Sequence, residues 1–198
     1  ELGLRCQIRV KKHSRQKASE QYIQDNVLNQ NFETDAPNKV WLSDSTELSY
    51  GPNGEYKMRL SGVLDLYGRL LLAHTLSITE TSAAEIEVFQ QAFDKVGDVH
   101  VLVHTDRGSA YTAGAFNNFL GRFDVTRSMS RPGTPYDNAP MERWWNEFKL
   151  RWMDRQPMPK TLGELQKLVA EGIEYFNYHN RSAQRNGLTP DEYWNEAA

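Results

Sequence analysis

The sequence predicts an α/β domain built on a mixed five-stranded sheet with helices on its faces and further helices at the C-terminus. Three observations carry that prediction. Three β-rich runs follow one another with no helix between them, two later β-rich runs are each entered through a helical stretch, and helical periodicity then continues to the end. Strands joined by short turns pair antiparallel, whereas strands separated by a helix run parallel, so the sheet is mixed.

The first run, "KVWLSDSTEL" from Lys39, alternates apolar and polar residues. "GEYKMRLSGVLDLYG" and "RLLLAHTLSI" follow, joined at Tyr67-Gly68-Arg69, which reads as a hairpin turn. "TSAAEIEVFQQAFDKVG" has a helical period, with Ala84, Ile86, Val88, Phe89 and Phe93 on one face, Ser82-x-x-Glu85 as a capping box and Gly97 as a stop. "DVHVLVHTD" is a near-continuous β-branched run and predicts a buried strand. The helix "TAGAFNNFLGRF" and the strand "DVTRSMS" come next, then the loop "RPGTPYDN". A long helix opens near Ala139, with Asn138 as its candidate N-cap and Pro140 tolerated in its first turn. Another helix opens at the capping box Thr161-x-x-Glu164, and Thr189-Pro190 starts a short one.

A chain of 198 residues with 39% apolar and 25% charged residues can bury a proper core. The single cysteine, Cys6, excludes an internal disulfide framework and suits a reducing cytoplasm. His13, His74, His100, His104 and His179 show no paired metal-ligand spacing. No apolar run approaches the roughly 20 residues that span a bilayer, so no membrane role is expected. Opening at Glu1 rather than methionine, the chain reads as a fragment of a longer protein or a trimmed one. The overall formal charge of −3 does not advertise nucleic-acid binding, but residues 1–17 carry a net +5, which leaves −8 for the rest. A basic arm on an acidic body fits a protein that grips a polyanion with its tail; a solvated linker reads equally well. Residues 1–37 are therefore an N-terminal arm and linker, ending at Asp35-Ala36-Pro37-Asn38.

Three acids fall where such a sheet places chemistry. Asp44 is in phase with Val40 and Leu42 on the first strand, Asp106 ends the buried strand, and Glu142 lies in the first turns of the long helix. A carboxylate on an otherwise apolar face is costly unless a positive group compensates it, and no Lys or Arg stands immediately beside Asp44. A divalent cation would serve. Oxygen-only ligands point to Mg²⁺ or Mn²⁺ rather than zinc. Two such ions about 3.5–4 Å apart suit in-line attack at a phosphodiester. Taken singly, Asp44 also reads as a turn former, and Glu142 as a favourable charge at a helix N-terminus.

Thirty-five residues separate Asp106 from Glu142, and here the sequence resembles the D,D-35-E transposases and integrases. "VWLSDSTEL", "HTDRGSAYT" and "SMSRPGTPYDNAPMERWWNEFK" resemble that family's three acidic blocks, and "YFNYHNRSAQRNGLTPDEYW" resembles its ending. The combination is similar to the bacterial insertion-sequence branch, whose transposase is made from two overlapping reading frames. The resemblance implies a ribonuclease-H-like catalytic core over 38–156 with a C-terminal helical extension over 157–198. It implies Asp44, Asp106 and Glu142 as catalytic, metal-binding residues. By the same resemblance Gly108 and Ser109 let the backbone turn behind Asp106, and Tyr111 begins the next helix.

Other candidates follow from position and from the resemblance. Lys149 lies two helical turns after Glu142 on the same face, and the resemblance implies a DNA contact at that offset, with a solvated helix lysine as the alternative. Arg131, Arg143 and Arg151 are candidates for a phosphate path or for plain surface. Asn138 reads both as a helix cap and as site-lining; His104 reads both as site-lining and as a core histidine. Trp144, Trp145, Phe148 and Trp152 read mostly as core or oligomer contact. Glu47 departs from the family pattern, which often has an uncharged residue there. "ELGLRCQIRVKKHSRQK" resembles the trailing edge of an upstream DNA-recognition region.

The resemblance implies a DNA transposase or integrase catalytic domain. It would act as a homo-oligomer on paired DNA ends, in the bacterial cytoplasm and on the nucleoid when bound to DNA. A water activated at a two-metal site would cut one strand, and the resulting 3′-OH would attack a second phosphodiester. The alternatives are another ribonuclease-H-like nuclease and a non-catalytic, domesticated DNA-binding or assembly protein.

Overall fold

The computed structural model describes residues 22–197; the basic arm at 1–17 lies outside the described residues. The strands are β1 (Val40–Tyr50), β2 (Tyr56–Asp65), β3 (Leu71–Ser77), β4 (Val101–Thr105) and β5 (Val125–Met129). They form one sheet in the order β3-β2-β1-β4-β5. β1–β2 and β2–β3 are antiparallel, while β1–β4 and β4–β5 are parallel. The mixed five-stranded sheet expected from the sequence is present. Its helices are α1 (Ser82–Val96), α2 (Gly114–Leu120), α3 (Ala139–Arg151), α4 (Leu162–Tyr178) and α5 (Pro190–Asn195).

Period-two alternation divides β1 between two cores. Trp41 faces the core made with Val88, Phe89 and Phe93 of α1 and Phe116 of α2. Leu42 and Leu48 face the other, where α3 supplies Met141, Trp144, Trp145 and Phe148 and α4 supplies Leu165, Val169, Ile173 and Phe176. The tryptophans of α3 are thus mainly core. Among the described residues no helix is long and apolar enough to cross a membrane.

The caps differ from the sequence expectation in instructive ways. Thr81, not Ser82, caps α1, its hydroxyl accepting from the Ala84 backbone N–H. Glu85 does not fold back to close a capping box, because its side chain turns inward and is fully buried. Thr161 accepts from the Glu164 N–H as expected, but the Glu164 carboxylate takes the Lys160 N–H instead of closing the box. A complete box forms at α5, between Thr189 and Glu192. Tyr111 does not start α2; it is buried ahead of the helix, which begins at Gly114.

α4 lies so close to the end of α3 that Gly172 has no room for a side chain. A Cβ there would stand 2.5 Å from the indole of Trp152, whose Nε1 donates to the Leu168 carbonyl. Gly172→Ala is therefore expected to destabilise the fold by about 1–3 kcal/mol through overpacking, despite alanine's better helix propensity. Urea unfolding followed by tryptophan fluorescence reads this directly. A midpoint at or above that of the parent would show that α4 shifts without cost.

Candidate active site

Asp44, Asp106 and Glu142 line one open cavity of about 360 Å³. Asp44 is presented by the middle of β1, opposite Gly62 of β2. Asp106 follows directly after β4, where Gly108 turns the chain and donates its N–H to Asp106 Oδ1 at 2.8 Å. A side chain on Gly108 would lie 2.9 Å from that oxygen and 3.0 Å from Glu80 Oε1, so glycine is needed for space here. Glu142 comes from the first turn of α3. The topology thus brings together three acids that are 62 and 36 positions apart in sequence.

The acids repel one another. Burial pushes the Asp44 carboxyl up to about 7; a hydrogen bond with the Ser45 backbone opposes the rise, and Asp106, Glu142 and Glu80 add to it. Burial also raises Asp106, with Gly108 opposing and Glu80 reinforcing, and burial raises Glu142. Glu80, in the loop before α1, is a fourth acid that sequence reasoning missed. It is held by a 3.1 Å hydrogen bond from Ser45 Oγ, a partner 35 positions away. Arg107 and Arg131 also line the cavity, but both are committed elsewhere. Arg107 Nε donates to the Ser130 carbonyl, and Arg131 forks onto buried Asp137 at 2.7 and 3.0 Å. That guanidinium holds the Asp137 carboxyl well below the usual carboxylate range.

Asn138 lines the same cavity and makes no capping hydrogen bond. Its Nδ2 donates to the Ser43 carbonyl at 3.3 Å, and its Oδ1 is buried without a partner. His104 does not line the cavity. It is fully buried between the hydroxyls of Ser128 (2.8 Å) and Ser130 (3.1 Å), and burial lowers its pKa to about 4. Lys149 lies in a separate depression beside Glu47, and Glu47 pairs with Lys57 at 2.9 Å. Arg143 and Arg151 both pair with Glu147 and face a third cavity.

Behind β1, on the α1 side, Glu85 accepts from Ser61 Oγ at 2.7 Å and from the Tyr111 hydroxyl at 2.9 Å. The Tyr111 hydroxyl also meets Ser43 Oγ at 3.1 Å. Burial raises Glu85 to about 7, both hydrogen bonds opposing. Burial likewise raises Asp65 to about 6.

These shifts set a stability-versus-pH prediction. A carboxyl whose folded pKa lies above its unfolded value binds protons better when folded, so its contribution is complete below about pH 4 and is lost as the pH rises through the folded pKa. Asp44, Asp65 and Glu85 all have this sign. In EDTA the protein is expected to melt higher at about pH 5.5 than at about pH 8, with Asp44→Asn narrowing the gap. Equal melting temperatures, or a higher one at pH 8, would contradict it.

The donor set fits a hard divalent cation: carboxylate oxygens gathered on one cavity, like charges raising Asp44, and no ion pair to Asp44, Asp106 or Glu142 among the described residues. Among those residues no three His, Cys, Asp or Glu side chains already stand as a finished metal cage. The acids line the cavity without closing on a centre.

A family model for the integrase core domain matches residues 34–135, and a second integrase core domain model matches 123–190. The chain belongs to the integrase core domain family. InsK of insertion sequence element IS150 in Escherichia coli, named as a transposase, is 32% identical to this integrase core over 98% of the chain and 68% of its own length. The transposase for insertion sequence element IS904 of Lactococcus lactis is 34% identical over 82% of the chain and 62% of its own length. The chain thus spans about two thirds of these relatives. The integrase catalytic core of HTLV-2, solved in complex with magnesium, superposes with a TM-score of 0.62 at 20% identity, over 81% of this chain and 99% of that one. That likeness shows the fold, the ribonuclease-H-like one expected from the sequence. This integrase core is a DNA transposase/integrase catalytic domain of the DDE polynucleotidyl-transferase class.

Proposed function

We propose that this core cuts a DNA strand and joins the freed 3′-OH to a second phosphodiester, with Asp44, Asp106 and Glu142 holding the Mg²⁺ or Mn²⁺ the reaction needs. The observation that carries the proposal is the convergence of these three acids, and of no ion-paired cation to any of them, on one open cavity. Two divalent ions bound there would supply activation of the attacking oxygen and stabilisation of the leaving one.

The chain's own residues place the groups. Gly108 keeps the approach to Asp106 clear and fixes its Oδ1. Asn138, in the cavity wall, ties the start of α3 to the Ser43 carbonyl beside Asp44, its Oδ1 buried without a partner. In the first step water attacks phosphorus and the P–O3′ bond breaks, leaving a 3′-OH. In the second that 3′-OH attacks another phosphodiester, whose own O3′ leaves. The first step is a hydrolysis that leaves a 3′-OH and a 5′-phosphate; in the second, one phosphodiester is made for the one broken, so no external energy source is required. The reaction would run on a homo-oligomer bound to DNA ends, in the bacterial cytoplasm; what supports this is that its relatives are transposases of bacterial insertion sequences and that the HTLV-2 integrase core was solved in a trimeric form.

Duplex DNA carrying the end of an insertion sequence, incubated with the protein, tests this. A nick with a 3′-OH that needs Mg²⁺ or Mn²⁺ and is stopped by EDTA is expected. Cleavage of RNA–DNA hybrid in preference to DNA ends would instead support a ribonuclease-H-like nuclease. Binding with no metal-dependent cut would support a non-catalytic assembly role.

A further inference from the structure

A cavity of about 580 Å³ lies apart from the acidic one. It lies beside the first turns of α3 and is bounded by the β2–β3 turn, by α3 and by the loop after α4. Five arginines line it: Arg69, Arg143, Arg151, Arg181 and Arg185. Their carboxylate partners are two. Glu147 takes Arg143 and Arg151, and Glu192 takes Arg181 in a fork at 2.6 and 2.8 Å. Arg185 satisfies itself on the carbonyls of Asn180 and Leu188.

Arg69 stands apart. Its Nη1 is buried with no hydrogen-bond partner, an arrangement that costs free energy unless something accepts from it. Burial, with Arg143 and Arg185 adding repulsion, lowers its pKa to about 10, so it still carries its charge at neutral pH. Its backbone is left-handed, φ 63°, next to Gly68 at φ 69°. Glycine would sit there without strain, whereas arginine is uncommon in that region. Five guanidiniums with two carboxylate partners leave a surplus of positive charge at one cavity, which suits the oxygens of a phosphate group. Arg143 is the most open of them, and the buried Arg69 Nη1 would donate there only after its turn moves.

We propose that this arginine-lined cavity binds a backbone phosphate of DNA, at a site separate from the acidic cavity. The source of the phosphate rests on the DNA reading above, and helix geometry supports it. Ala139, Arg143, Glu147 and Arg151 form one i, i+4 stripe facing the arginine cavity, while Asn138 and Glu142 face the acidic one. The two cavities flank the same first turn of α3, so one strand can engage both within a few nucleotides. Arg143 and Arg151 then act on phosphate, as their sequence positions suggested, but away from the acids.

The test is binding of the whole chain to a labelled DNA duplex of about 20 base pairs in EDTA, measured across a salt series. EDTA excludes the metal reaction, so the outcome is independent of whether the acidic cavity cleaves. Arg69→Gly suits the local backbone, and the Arg143 side chain is 78% exposed, so R69G, R143Q and the double variant are expected to stay folded by circular dichroism. The double variant is expected to weaken binding at least about fivefold and to flatten the slope of log K against log salt by about 1–2. Arg122→Gln, on a different surface, is expected to leave both unchanged. Parent-like affinity and slope in the folded double variant would overturn the proposal. So would loss of binding to poly-glutamate with DNA binding intact, which would assign the cavity to an acidic protein partner.

Discussion

Replacing Asp106 with asparagine is expected to lower metal-dependent strand cleavage by about three orders of magnitude. The metal-free protein should be at least as stable as the parent. The two effects have one cause. Asp106 is raised by burial and by the Glu80 charge, and it adds to the rise of Asp44, so ionised acids are opposed here until a cation joins them. Asparagine keeps the shape and keeps an oxygen for the Gly108 N–H at 2.8 Å, but it removes the charge a metal needs. Nicking rates on element-end DNA, together with thermal melts in EDTA, measure both effects. Cleavage within about tenfold of the parent would remove Asp106 from the site.

Glu85→Ala is expected to cost about 3 kcal/mol of folding stability, the largest loss anticipated for any one substitution in this core. The change empties a fully buried position and leaves Ser61 Oγ and the Tyr111 hydroxyl without their acceptor. Glu85→Gln keeps the volume and one acceptor and should cost much less. By the same linkage, its deficit should be larger at about pH 5.5, where Glu85 is protonated in the fold and most of its contribution is present, than at about pH 8, where that contribution is lost. The network ends at Ser43, the residue before Asp44, whose carbonyl takes Asn138 Nδ2, so its loss also loosens the floor of the acidic cavity. Chemical denaturation at the two pH values reads the stability. An alanine variant within about 0.5 kcal/mol of the parent would mean that the buried hydroxyls find other partners.

What sequence could and could not reveal divides along a physical line. Alternation in "VWLSDSTEL" and the β-branched run before Asp106 are local, and they correctly gave the strands, the mixed sheet and the face on which Asp44 lies. The side of a helix a residue occupies is also local, so Lys149, Arg143 and Arg151 could be placed on α3. What those faces meet is not local. Arg143 and Arg151 face a cavity closed by the β2–β3 turn and the loop after α4, and Lys149 meets β1 at Glu47.

Capping residues misled for the same reason. Ser82-x-x-Glu85 has the spacing of a box, but Ser61 and Tyr111, 24 and 26 positions from Glu85, claim the glutamate. Asn138 has the composition of a cap, yet its amide is drawn to Ser43, 95 positions away. Glu80 offered no pattern at all; only the strand register that brings Ser45 to it places it near the acids.

The central claim is that the acidic cavity binds a divalent cation, and Mn²⁺ calorimetry on the parent and on Asp44→Asn addresses it most directly. Asp44 is the most strongly raised of the three acids, so metal binding at about pH 6.5 must displace its proton. The account predicts micromolar-to-millimolar binding by the parent, an enthalpy that varies with buffer ionisation, and loss of both in the variant. Identical Mn²⁺ isotherms for the two proteins would contradict it.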